Sequence, residues 1–464
     1  MKRTSSRNQF SKTKTAFFAS ATALAAFTAQ TSHAQSSVDA LLNKLEQKGV
    51  LTVDEAKELK SENQQDSATD FKKAMDASFG TPSWVTGYNF YGSFRGRYEQ
   101  FSGDTGSAID RSRLRYRLFL GGTITMKDNL EAGFRIGSGD LKGSAGQGNP
   151  LSQNSTMGNN WSDKGLYVDL AYGKWTPISG GDWTLSTTFG KMERNVFDFT
   201  WMVIDPDLTP EGGVIQGAYT INDKQTIGFT AGGFTLQDVG NSTHDPAMFG
   251  AQMVWKAKWS PKWSSSLGAA ILAIANPEQL TSANAVQIIQ GNTRYTSGIY
   301  AGAPMYNFTP IIGDASMTYT LDSFPLYNGA FPIMLKGEVM NNPGAPKNND
   351  GYWIGVTFGK AGAKKTWDLT YRYEYLEADA WYDQLADDDN VAFYKTAPGG
   401  GGSAGYYGGT NIKGHFIKLN YSITDSLTFS ATCYLNSLIN STVNGSAEPQ
   451  SNAMHFFADL MWKF

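Results

Sequence analysis

From Trp84 onward apolar and polar residues alternate with a period of two, in blocks of about ten, the length a tilted strand needs to cross a bilayer. In one block Trp183, Leu185, Thr187 and Phe189 share a face while Thr184, Ser186 and Thr188 make the other. In another, Trp367, Leu369, Tyr371, Tyr373 and Tyr375 stand opposite Asp368, Thr370, Arg372 and Glu374. Leu427, Phe429, Ala431, Cys433 and Leu435 alternate with Thr428, Ser430, Thr432, Tyr434 and Asn436, which puts Cys433 on the apolar face as a structural residue. Sixteen blocks begin near residues 85, 110, 129, 165, 182, 213, 225, 247, 263, 313, 330, 351, 365, 411, 426 and 453. The pattern predicts an all-β fold, a transmembrane antiparallel β-barrel of about 16 strands within residues 80–464.

The connections alternate in length. Turns at 126–129, 222–225, 260–262 and 424–426 are short, whereas 138–164, 192–212, 276–312 and 379–410 are long and rich in Gly, Asn and Pro. Short turns on one side and long loops on the other are the asymmetry of outer-membrane barrels, and an even strand number brings both chain ends to the short-turn side. A sheet in lipid has to close, because an open edge leaves N–H and C=O groups with neither partners nor water. The last block supplies a closing strand, with Phe456, Ala458, Leu460, Trp462 and Phe464 on one face. Its terminal aromatic resembles the signal read by the outer-membrane assembly machinery, an expected partner through Phe464.

Ahead of the barrel the pattern changes. Residues 1–34 have a basic start (Lys2, Arg3, Arg7, Lys12, Lys14), an apolar middle and a small-residue exit at Ser32, His33 and Ala34, as a cleaved secretory signal peptide does. Residues 35–70 predict a periplasmic helical hairpin and linker. Val38, Leu41, Leu42 and Leu45 line one helical face before Gly49, and Thr52 with Glu55 opens a second helix as a capping box. This element is either a solvated spacer or a short oligomerisation coil.

Composition narrows the classes. Without the five basic residues of the signal, 34 basic residues face 42 acidic ones, a net charge of about −8 that excludes a nucleic-acid partner. One cysteine excludes a disulfide scaffold and paired-thiol redox chemistry. Beyond the signal no apolar run reaches 18 residues, so a helical membrane protein is excluded too. Glycine is frequent (50), aromatics reach 13% and charged residues only 17%, a mixture suited to strands with one apolar and one polar face.

Arg111, Arg113, Arg115 and Arg117 alternate with Ser112, Leu114, Tyr116 and Leu118, projecting four guanidinium groups from one face of a strand. An arginine at the bilayer midplane costs roughly 2 to 4 kcal/mol on the lipid face, so the ladder is expected in the lumen. The same parity turns Arg95, Arg97 and Glu99 inward from the first strand, and Glu131 and Arg135 from the third. The loop after the fifth strand carries Asp198, Asp205, Asp207 and Glu211 among prolines and glycines. Folded inward, it would constrict the lumen and oppose the basic wall. The competing reading has the arginines pair with nearby carboxylates only to brace the barrel. Lys256, Lys258, Lys336, Glu338, Arg372 and Glu374 read as general lumen lining, and Trp84, Trp175, Trp183, Trp259, Trp263, Trp367 and Trp462 as interfacial girdles. His244, His415 and His455 lie in no nucleophile motif, and no GxSxG or HExxH occurs, so neither catalysis nor a metal or cofactor is expected.

Several segments resemble the bacterial putative porin family, and in appearance the phosphate-selective type of porin: RSRLRYRL (111–118), GKME (190–193), DPDLTPEG (205–212), YRYEYLEA (371–378), LTFSATCYL (427–435) and the N-terminal LEQKGVLTVDEAKEL (45–59). The resemblance implies an outer-membrane solute channel, often a homotrimer, and assigns no solute to any residue. Phosphate selectivity is not carried over, because here the basic wall faces an acidic loop in an acidic chain. Pattern and resemblance together lead to one expectation, a passive channel for ions and small hydrophilic solutes in contact with outer-membrane lipid. The alternatives are an anion- or sugar-selective channel, a plugged barrel acting as a surface adhesin or scaffold, and, least favoured, a barrel hydrolase.

Overall fold

A computed structural model of the chain describes residues 80, 82–103, 111–142, 147–200, 202–240, 242–281, 291–390, 409–443, 446–447 and 452–464. The expected signal peptide, helical hairpin and linker lie outside the described residues. The chain divides into two units. One takes Met1–Asn89, Ile124–Lys127 and Phe464, and the other, Phe90–Thr123 with Asp128–Lys463, carries the barrel wall and its loops.

The wall has sixteen strands: β1 (Val85–Gly103), β2 (Arg111–Met126), β3 (Leu130–Gly139), β4 (Gly165–Gly180), β5 (Trp183–Lys191), β6 (Glu211–Asn222), β7 (Gln225–Thr235), β8 (Ala247–Lys258), β9 (Trp263–Ala275), β10 (Ile311–Leu321), β11 (Phe331–Asn341), β12 (Asp350–Gly359), β13 (Trp367–Leu376), β14 (Ile412–Ser422), β15 (Leu427–Leu438) and β16 (Asn452–Lys463). Each pairs with its neighbours in chain order, and β16 pairs antiparallel with both β15 and β1. Arg97 lies opposite Asp459 and Glu99 opposite Phe457 across that seam, so the sheet is a closed barrel. All sixteen starts fall within two residues of those read from the alternation, because a strand that faces lipid on one side and water on the other has to show its period.

Two irregularities interrupt the regular ladder. The register between β3 and β4 shifts where Arg135 faces Leu170 and Ile136 faces Val168, so Asp169 is an extra residue. Such a bulge re-aims a side chain, and the Asp169 carboxylate meets the Arg135 guanidinium inside the barrel. The second is a short addition: Ser155–Thr156, from the loop after β3, pairs with Tyr116 and Arg115 of β2 and prolongs the wall above the end of β3.

Of the tryptophans read as girdle, Trp84, Trp175, Trp183, Trp259, Trp263 and Trp462 are exposed toward the short-turn side, as an amphipathic ring at a membrane boundary should be, whereas Trp367 is half-buried against Phe324, Tyr327 and Phe331. The buried apolar core lies inside the barrel. Val196, Phe197, Phe199, Met202, Val203 and Ile204 of the β5–β6 loop pack with Trp381, Tyr382 and Ala386 of the β13–β14 loop against inward residues of the far wall, among them Met248, Leu272, Ile312 and Trp353. A barrel interior large enough to be wet is thus partly filled by its own loops.

Candidate functional site: an arginine wall and two inward loops

The wall is built by strand parity. In β2, Arg113, Arg115 and Arg117 turn inward while Leu114 is exposed on the other face, and Arg97 and Glu99 of β1 are buried beside them. Arg111 does not join this set. It is the exposed first residue of β2, at its long-loop end.

The inward arginines fall into two groups. Glu99 is a hub that receives Arg113 and, at 3.4 Å, Arg115, and its Oε1 lies 3.2 Å from His455 Nε2 on β16. Arg115 also donates to Ser152 Oγ (2.9 Å) and to the Asn154 carbonyl. Arg97 makes a two-pronged pair with Asp459 (2.8 and 2.9 Å) and lies 3.8 Å from the centre of the Phe457 ring. Arg135 is shared between Asp169 and Glu193. These groups brace the wall, since each cation has a carboxylate in hydrogen-bonding geometry.

Arg95 and Arg117 differ. Arg95 donates to the amide oxygen of Asn154 (2.8 Å), and no described carboxylate forms an ion pair with it. Arg117 reaches Asp207 at 3.4 Å, a long contact with both side chains partly exposed. The Nε groups of Arg95, Arg115 and Arg117 alike make no hydrogen bond to a described protein atom, so the partners of the terminal nitrogens make the difference.

Of the four acidic residues expected to oppose the wall, the structure brings one to it. Asp207 faces Arg117, its backbone carbonyl held by Gln153 Nε2 at 2.6 Å. Asp205 is buried two residues earlier, where its carboxylate accepts the backbone N–H groups of Asp207 (2.7 Å) and Asp388 (3.1 Å) and ties the two inward loops together. Burial, with Asp388 and Asp387 nearby, holds its carboxyl well above the usual range. Asp198 turns to the opposite wall, 3.5 Å from Lys256 and 3.7 Å from Lys336. Glu211 opens β6 and pairs with Lys191 across the strands at 2.7 Å, outside the constriction.

The opposite wall uses its charges to hold the loops. Glu338 accepts from Thr200 Oγ1 (2.6 Å), Trp353 Nε1 donates to the same hydroxyl (2.9 Å), and Trp381 Nε1 donates to the Val203 carbonyl (2.7 Å). Arg372 lies 3.2 Å from Glu374 and 3.9 Å from Asp387. The set read as general lumen lining is therefore largely loop anchorage. Sequence reasoning passed over the apolar plug itself, although FDFTWMVI (197–204) is too apolar for a loop in water, and that run was the available signal.

Two groups of side chains offer several ligand atoms within 4.8 Å of one another: Glu99, Asp389 and His455, and Asp205, Asp387 and Asp388. In the first, Glu99 already receives two guanidinium groups. In the second, Asp205 spends both oxygens on backbone N–H groups. Neither presents a free ligand set.

Residues 102–298 match the model of a family described as "Putative porin". The matched stretch contains β2 to β9, the arginine ladder and the whole β5–β6 loop, while Arg95, Arg97 and Glu99 of β1, the β13–β14 loop and β16 lie outside it. Among solved structures, OprB of Pseudomonas putida is similar at 12% identity, over 81% of this chain and 94% of that one, with a TM-score of 0.48. OmpF of Salmonella typhi, in a complex with daunomycin, is similar at 10% identity over 82% and 98% of the two chains, with a TM-score of 0.45. A triple mutant of Rhodopseudomonas blastica porin is similar at 9% identity over 81% and 100%, with a TM-score of 0.38. No curated protein matches the chain.

Proposed function

We propose that this porin is a passive outer-membrane channel for ions and small hydrophilic solutes, with its path along the Arg95 and Arg117 side of the lumen and a weak preference for anions. The division of the wall carries this reading. Arg113, Arg97 and Arg135 are held by carboxylates and Arg115 by the buried Glu99 with two further acceptors, whereas Arg95 has only an amide oxygen and Arg117 a single contact, as long as that of Arg115 with Glu99 (3.4 Å), to the less buried Asp207. Such guanidinium groups can replace part of a passing anion's hydration, and Asp207 across from them keeps the attraction weak enough for release. The far side of the lumen is occupied by the apolar core, which leaves the arginine side as the polar route. On this reading the exported mature chain assembles as a homotrimer, with Phe464 read by the assembly machinery.

Single-channel recording of the refolded mature protein in a planar bilayer tests the proposal. Stable open steps are expected. One observation favours a second reading, that of a plugged barrel serving as an adhesin or scaffold: the two inward loops fill part of the lumen with apolar side chains. A bilayer that stays closed, with a heat-modifiable folded barrel on a gel, would decide for that reading.

A further inference from the structure

At the long-loop end of the wall a groove of ≈ 1050 Å³ runs between β1, β2 and the loop after β3, with the Glu99-paired Arg113 on its inward side. Its floor is apolar and aromatic, with Tyr98, Leu114, Tyr116 and Met157, all from the outward parity of their strands or from the loop segment that laps over the wall. Arg111 and Lys164 stand at its rim, and no described carboxylate pairs with either. Asp163, the one carboxylate of segment 156–164, is exposed and pairs with neither cation. The segment is held to the wall by the Met157 N–H donating to the Leu114 carbonyl (2.9 Å) and by Thr156 Oγ1 donating to Asp140 (2.7 Å).

Beyond that anchor three consecutive residues, Asn159, Asn160 and Trp161, take positive φ (55°, 52° and 63°), and Trp161 is left 97% exposed. A left-handed run without glycine is costly, and here it presents an indole to whatever surrounds the barrel. The height of the groove identifies those surroundings. Trp175 lies in the short-turn girdle, and Leu166 is about nine residues up the same strand; at ~3.3 Å per residue and a tilt of ~40° that is roughly 23 Å along the membrane normal. The apolar band of such barrels is about 25 Å tall. Lys164 and Trp161 therefore lie at the far boundary, where headgroups begin and acyl chains end, and Arg111, the first residue of β2, stands on the headgroup side of it.

We propose that this groove docks a phosphorylated lipid of the outer leaflet, one acyl chain along Leu114, Tyr116 and Met157 and the phosphate against Arg111 and Lys164, with Trp161 at the headgroup level. The proposal rests on the barrel lying in the outer membrane. Charge complementarity favours a lipid over a second copy of the chain: two cations without a described carboxylate, at a membrane boundary, suit an anionic headgroup, whereas a buried protein interface would leave them uncompensated.

Native mass spectrometry of the full mature chain, released from mixed micelles holding either bisphosphorylated lipid A or its dephosphorylated form, tests it. The phosphorylated lipid is expected to be retained, with preference roughly tenfold or more over the dephosphorylated one, as two cations at an anionic surface imply. The double variant Arg111→Ala/Lys164→Ala should lose that preference, Arg111→Lys/Lys164→Arg should keep it, and both should conduct as the parent does. Equal retention of the two lipids by the parent overturns the proposal without any variant having to fold. Unaltered preference in the alanine variant overturns it as well, as does a Trp161→Ala chain that changes its oligomeric state while retaining lipid normally, which would assign the face to a second copy. Loss of conductance in the parent would strike the channel reading and leave the lipid result standing.

Discussion

Replacing Trp381 with alanine probes the inward loops at the point where they meet. The side chain is fully buried, donates its Nε1–H to the Val203 carbonyl at 2.7 Å, and lies edge-on to Phe308 at 6.1 Å between ring centres. Truncating a buried Trp costs about 3 to 5 kcal/mol, and the orphaned carbonyl contributes to the upper end. The loss falls on the packing of the inward loops, with Phe308 of the β9–β10 loop among the partners, and leaves the strand ladder alone, because no strand pairing involves Trp381. Local opening of the β5–β6 and β13–β14 loops should then become about 10²- to 5 × 10³-fold more populated, while the barrel keeps its heat-modifiable mobility. Limited chymotrypsin digestion reads the opening at Phe197 and Phe199, and single-channel recording should show excursions to larger conductance. If cleavage rate and conductance both stay at the parental level, the loops do not rely on this core and the account of the plug is wrong.

Asp387, in the inward β13–β14 loop, has its carboxyl pushed up to about 8, chiefly by burial. A carboxyl whose folded-state value is raised binds its proton more tightly when packed, so its contribution is complete below about pH 4 and is lost as pH rises through about 8. The loops should therefore be digested faster at pH 9 than at pH 6, and the reverse trend would refute the burial argument. Asp459→Asn removes the charge from the two-pronged pair at the closing seam, and unfolding by denaturant from lipid vesicles should show a loss of about 3 kcal/mol; a loss below about 1 kcal/mol would show that seam hydration already screens the pair. Gly190 has φ +125°, and a Cβ there would collide with the Ala171 carbonyl of β4, so Gly190→Ala should lower the yield of folded barrel on a gel, with parental yield as the contradicting result.

The barrel was legible because lipid on one side and water on the other imprint a period of two on every strand, as Trp183 to Phe189 and Leu427 to Leu435 show. The inward parity of Arg95, Arg97, Arg113, Arg115 and Arg117 came from the same rule. Which arginines are matched did not, because matching depends on neighbours across strands: Glu99 sits beside two of them and Asp459 faces Arg97 from the other end of the chain. Loops carry no period, so the side on which Asp198, Asp205 and Glu211 would fall was out of reach. Composition did hold one clue, since Phe197, Phe199, Met202, Val203 and Ile204 in succession belong in a core.

The most direct test of the central claim is the reversal potential of single channels under a salt gradient, for the parent and for Arg95→Ala/Arg117→Ala. The account predicts a small anion preference in the parent and a shift toward cations in the variant, with Arg113→Ala/Arg115→Ala altering stability far more than selectivity. A reversal potential unchanged in the Arg95/Arg117 variant, or a larger shift in the Arg113/Arg115 variant, would contradict the claim that solutes pass along the Arg95 and Arg117 guanidinium groups.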